Sequence, residues 1–147
     1  MWSPEKTCNG QDIMRKTIIS LGGAALLAAV AGASTARPAL KDVERITEGL
    51  IATGIAYEIS NVCDSIDART LRGINFLWSL KGHARELGYT EAEIDAFVDD
   101  KAEQARLEGI ARQRLASMGA VAGRPDTYCD VGRAEIAAQT EIGQLLR

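Results

Sequence analysis

The sequence predicts an all-α domain, a compact bundle of about four helices with one disulfide joining the end of the first helix to the start of the last. Three observations carry this. Beyond residue 37, apolar residues recur at spacings of three and four with almost no alternating β-branched runs, the period of a helix rather than a strand. About 111 residues remain once an export leader is set aside, enough for one core and too few for two. Within that part the cysteines are Cys63 and Cys129, so one intramolecular pairing is available in an oxidising compartment.

The leader is residues 14–36. Arg15 and Lys16 give a basic start, Ile18 through Gly32 an apolar run, and Ser34-Thr35-Ala36 the small residues that a signal peptidase needs. Cleavage is expected after Ala36, with Ala31-Gly32-Ala33 offering a second site. The apolar run is roughly 15 residues, short of the ~20 that span a bilayer, and Gly22, Gly23 and Gly32 weaken it further, so no stable membrane span is expected after cleavage. Residues 1–13 carry Glu5, Asp12 and the polar Asn9-Gly10-Gln11 where basic character is expected. They read as a non-native upstream extension, with Met14 as the start, and residues 37–147 as a single helical domain.

The first helix is predicted from Pro38 to Val62, with Leu40, Val43, Ile46, Leu50, Ile51, Ile55, Ile59 and Val62 as a broad apolar stripe. Gly49 and Gly54 lie inside it, each costing about 1 kcal/mol of helix stability against Ala, and imply close approach of another helix at those turns. Asp64 or Ser65 is expected to cap a second helix, Ile66–Leu87, with Ile66, Ile74, Leu77, Leu80, Ala84 and Leu87 inward, and Gly88 ending it. Thr90 and Glu93 form a capping box, stapled by Tyr89 and Ile94, and fix the start of a third helix that runs to Met118. Its apolar row changes phase between Ala105 and Leu107, which a bend near Gly109 or two different neighbours would accommodate. A last helix runs from Pro125 or Asp126 to Leu146, with Cys129, Ile136, Ile142 and Leu146 inward.

The runs Ile55-Ala56-Tyr57-Glu58-Ile59 and Cys63-Asp64-Ser65-Ile66, then Leu87-Gly88-Tyr89-Thr90 and Tyr128-Cys129 with Gly132-Arg133 and Glu135-Ile136, span nearly the whole of residues 37–147. In combination they resemble small exported bacterial proteins grouped as domain of unknown function 5333. The resemblance implies the same helical domain with both cysteines, and no activity or catalytic residue.

Charge and composition narrow the function classes. Residues 37–147 hold eighteen Asp and Glu against fourteen dispersed Lys and Arg. Nucleic-acid binding needs a clustered positive surface, and no such partner is expected. Aromatic residues are few and scattered, too sparse for a stacking platform. No Cys-x-x-Cys, haem attachment motif, phosphate-cradling glycine loop or nucleophile arrangement can be composed, so neither a cofactor nor a metal is expected. His83 stands on a helix between Lys81 and Arg85 without a visible partner and reads as a solvated side chain.

Two features remain as candidate interaction residues. Trp78 either completes the core, the commoner case, or anchors a partner. Glu91, Asp95, Asp99 and Glu103 recur every four residues, stacking like charge along one solvent-facing side of the third helix. That row reads as a solvated face that complements the helix start, or as a landing strip for a cation or a basic partner. The expectation is therefore an exported, periplasmic or secreted protein whose role is non-enzymatic, binding a protein partner or supporting an envelope assembly. The alternative is a small-ligand carrier or an enzyme with a pocket between helices, for which Glu58 and Asp64 near the disulfide are the first carboxylates to test.

Overall fold

Helix α1, Glu44–Val62, is the axis of the domain, and the turn before it and four of the five later helices pack on it. Its apolar positions face several directions, so Ile46, Ile51, Ala52, Ile55, Ala56 and Ile59 are all buried. The computed structural model describes residues 36–147. The predicted leader, apart from Ala36, and the upstream extension at 1–13 lie outside the described residues. After α1 come α2 (Thr70–Glu86), α3 (Glu91–Asp99), α4 (Lys101–Ser117), α5 (Pro125–Ala138) and α6 (Glu141–Gln144). The all-α expectation holds, with six helices and no strand among the described residues in place of about four helices.

Each departure from the predicted boundaries has a local cause. Pro38 does not open the first helix. Ala39 is extended, Leu40–Asp42 form a single 3-10 turn, and the Pro38 carbonyl accepts from the Tyr89 hydroxyl, which ties this arm to the far end of the bundle. The second helix begins at Thr70 rather than Ile66, and neither Asp64 nor Ser65 caps it. The amides of Asp67 and Arg69 instead donate to the carbonyls of Arg147 (2.9 Å) and Leu145 (2.7 Å), an antiparallel pairing that holds 67–69 extended against the chain end. Ser65 Oγ lies 3.3 Å from Cys63 Sγ and 3.8 Å from Cys129 Sγ.

The third predicted helix is broken in two. Asp100 accepts from the amides of Ala102 (2.8 Å) and Glu103 (3.1 Å), an N-cap that terminates α3 and starts α4. This break, not a bend at Gly109, absorbs the change of apolar phase, and α4 runs unbroken through Gly109. The last helix also divides. Gln139 adopts a left-handed conformation (φ 52°) at the end of α5, and Thr140 Oγ1 caps α6 by accepting from Gly143 (3.1 Å).

Two apolar clusters fill the interior. The larger joins α1 to α4, α5 and the chain end through Ile51, Ile55, Ile59, Leu115, Val131 and Leu146, and the smaller joins Leu40 and Ile46 to Ala84, Tyr89 and Ile94. Of the two helical glycines of α1, Gly49 sits at the close approach expected, whereas Gly54 has room for a side chain. A Cβ on Gly49 would meet the Leu80 methyls at 2.7 and 2.8 Å, and one on Gly54 would meet Ala111 Cβ at 3.6 Å. The disulfide is formed, with Cys63, just past α1, bonded to Cys129 in α5 and their Cα atoms 5.2 Å apart. Among the expected inward residues of the last helix Leu146 is buried, whereas Cys129, Ile136 and Ile142 are half-buried.

Candidate docking face on α2 and α3

Helix α2 has two apolar faces where one was expected. Leu80 and Ala84 turn into the bundle. Leu71, Ile74 and Trp78, at the i, i+3, i+7 spacing of a second stripe, turn outward, and Trp78 is 59% and Leu71 79% exposed. Ile74, Leu77 and Leu87, predicted inward, are exposed as well. The reason is the shortened start of α2: with 66–69 outside the helix, Ile66 is delivered to the core by the loop, and the helix itself needs a narrower inward stripe. Trp78 therefore does not complete the core.

Helix α3 is held beside this stripe by local chemistry that the sequence carried openly. Gly88 takes φ 87°, a turn conformation that a side chain disfavours, and ends the preceding helix. Thr90 Oγ1 accepts from the Glu93 amide (3.3 Å) while Glu93 Oε2 accepts from the Thr90 amide (2.7 Å), the predicted capping box, with Tyr89 and Ile94 buried together beneath it. Arg37 straps the same corner. It donates to the Gly88 carbonyl and to Glu93 (2.5 Å), and its guanidinium lies 4.0 Å from the Tyr89 ring centroid.

Cross-helix ion pairs then set the register of α3 on α2. Lys81 lies 2.8 Å from Glu91 and 3.2 Å from Asp95, and Arg85 donates to Glu91. Hydrogen bonds from Arg85 and then Lys81 hold the Glu91 carboxyl down to about 2, and the bond to Glu91 raises Lys81 above its ordinary range. The predicted acidic row is accordingly not one row. Glu91 and Asp95 serve the α2–α3 contact, and exposed Asp99 ends α3 without a salt bridge among the described residues. Glu103 falls on α4, where its side chain is 11% exposed and paired with Arg106.

Between the two helices and α1 lies an open apolar groove of about 430 Å³, lined by Leu50, Ile74, Leu77, Trp78, Phe97 and Val98 among others, with Lys81 and Asp95 as its charged lining. Two further cavities are more polar. One of about 640 Å³ follows the Arg37–Lys41 arm over α3, and one of about 850 Å³ separates the start of α2 from the chain end, beside Arg69, Arg72 and Arg147. Glu58 is half-buried and Asp64 exposed, and neither lines any of these three cavities. His83 Nδ1 is 3.7 Å from Glu86, a partly exposed neighbour pair. No group of three His, Cys, Asp or Glu close enough to share a metal ion occurs among the described residues, and none of their helices is long and apolar enough to cross a membrane. Residue reasoning missed Leu71, Ile74, Leu77 and Val98 as surface groups. The signal present was that apolar residues of α2 cover too wide an arc for one buried stripe.

Fold and site thus define a small disulfide-linked helical domain with an open apolar groove on one side. The chain belongs to DUF5333, a family of unknown function, whose model matches residues 38–147. Comparison with curated proteins and with solved structures gives no match.

Proposed function

We propose that this protein is exported, loses its leader, and works outside the cytoplasm as a non-enzymatic binding domain in an envelope assembly, receiving an amphipathic helix of a protein partner on its α2–α3 face. The exposed stripe of Leu71, Ile74 and Trp78 carries this reading. Neither interior cluster includes these side chains, and Ile74 and Trp78 stand with Leu77 and Val98 around one open groove, exposed apolar surface of the kind that marks interaction sites. A helix offering apolar residues at the same spacing fills such a groove, and the acids Asp95 and Asp99 on its α3 edge favour basic residues along that helix's flank. Export is supported by the basic, apolar and small-residue segments of 14–36 and by the paired cysteines, which persist in oxidising compartments.

A carrier or enzyme reading draws on the groove's volume, about 430 Å³, which is in the range of small-molecule sites. It lacks the convergent polar groups that orient a ligand, since Lys81 is already engaged by Glu91 and Asp95. Gentle extraction of the native envelope followed by size exclusion tests the proposal. Wild-type protein is expected to elute in a larger particle and the Trp78→Ala and Ile74→Ser variants as free protein. Identical elution of all three would overturn it.

A further inference from the structure

We infer that the helix received on this face is α2 of a second copy of this chain, so that the working unit is a two-fold symmetric dimer; the inference rests on reading the α2–α3 face as the docking surface. An isologous interface must be self-complementary, each patch on one copy meeting a matching patch on the other after a half-turn. The apolar stripe meets that condition by itself, because Leu71, Ile74 and Trp78 of one copy fit against the same residues of the other. The charges around the stripe make the case for a second copy over an unrelated helix.

Two basic groups without a salt bridge lie at one corner. Arg69 stands at the N-cap position of α2, and Arg72, one residue on from Leu71, projects about 100° round from it, toward α6, where it reaches the Gln144 carbonyl at 3.3 Å. Neither arginine has a carboxylate within salt-bridge distance among the described residues. At the opposite corner Asp99 is the acid left over after Lys81 and Arg85 engage Glu91 and Asp95. The pairs Lys81–Asp95 and Arg85–Glu91 run α3 antiparallel to α2, which places Asp95 and Asp99 on the other flank of the stripe, toward its C-terminal half. Asp99 has no salt bridge among the described residues and closes α3, where the negative helix end makes a carboxylate unwelcome.

A two-fold axis lying in the face exchanges these two diagonal corners. Arg72 of each copy is thereby set against Asp99 of the other, with Ile74 near the centre of the contact and Trp78 of each copy set against Leu71 of the other, an aromatic anchor at each end. A foreign basic helix would satisfy Asp99 and leave the arginine corner unmatched, whereas a second copy satisfies both. The stripe from Leu71 to Trp78 is about two turns, ~10 Å, long. That puts the contact among small, reversible interfaces of under ~1,200 Å².

Sedimentation velocity of the processed, oxidised protein over a wide concentration series tests this. Wild type is expected to show a reversible monomer–dimer equilibrium, weakened at least about tenfold in Trp78→Ala. Arg72→Glu and Asp99→Arg are each expected to weaken it. The double variant should self-associate again, and an equimolar mixture of the two single variants should associate more tightly than either alone, because both cross-copy pairs are then oppositely charged. Both positions are exposed, so these variants retain the fold, and their urea midpoints verify it. A protein that stays monomeric, or a dimer indifferent to Trp78 or to the charge exchange, would overturn the inference. If the monomeric protein still loses its envelope particle on Trp78→Ala, the docking surface stands and only its self-pairing falls. If neither association responds, both fall.

Discussion

Cys63 and Cys129 are bonded with their Cα atoms 5.2 Å apart, fastening the chain just past α1 to the second turn of α5 across a sequence separation of 66 residues. Closing a loop of that length removes unfolded-state entropy equivalent to about 4 kcal/mol in the chain-entropy model, a large share of the stability of a domain this small. Reduction with dithiothreitol is expected to lower the free energy of urea unfolding by about that amount. A loss of less than about 1 kcal/mol would show that the helices hold each other without the bond.

Export predicts a defined new N-terminus. Mass spectrometry of protein from its native host is expected to find Arg37, or Ser34 if the second small-residue site is cut. Full-length protein kept in the cytoplasm would remove the oxidising compartment from the account.

Legibility in the sequence followed the range of the forces involved. The capping box at Thr90 and Glu93, the Gly88 turn and the staple of Tyr89 and Ile94 are encoded within a few residues, and all are present as read. What the sequence concealed depends on distant chain. The extended 67–69 segment follows from hydrogen bonds to Leu145 and Arg147, and local propensity at Ile66 cannot anticipate partners some eighty residues away. Once that segment leaves the helix, Ile66 enters the core from the loop and the outward stripe of α2 stays exposed. The helix break at Asp100 was legible in kind, since Asp is a strong N-cap, but competed with the run of helix formers that follows it from Lys101 to Leu107. Trp78 is legible as a candidate from its residue type, and which of its two readings holds depends on where α2 begins.

The two glycines of α1 give opposite predictions for one substitution. Gly54→Ala adds a Cβ at ordinary contact distance, 3.6 Å from Ala111, and should stabilise by about 0.5–1 kcal/mol through helix propensity. Gly49→Ala forces its Cβ against Leu80, which is 4% exposed and has little room to retreat, with Phe76 at 3.2 Å behind it. A loss of roughly 1–3 kcal/mol is expected in denaturant unfolding. Equal effects at both sites would contradict the α1–α2 packing described.

The Glu91 clamp between α3 and α2 should be visible in the pH dependence of stability. Its carboxyl is lowered from an ordinary 4.5 to about 2, so the folded state binds the proton more weakly than the unfolded state does. The stabilisation is then complete above the unfolded value and lost as pH falls through the window down to about 2. Glu91→Gln is expected to reduce the melting temperature slightly at neutral pH and low salt, with the difference from wild type closing toward pH 2 and in high salt. A difference that persists at pH 2 would mean that Glu91 acts by packing rather than by charge.

The central claim is that the outward face of α2 is a recognition surface, and site-specific photo-cross-linking in the native envelope tests it most directly. A photoreactive side chain at position 78 is compared with one at Ala137, an exposed residue of α5 that lines none of the three cavities. The account predicts a discrete adduct from position 78, removed when Ile74→Ser is added, and none from position 137. Adducts of equal yield from both positions, or none from position 78, would contradict it.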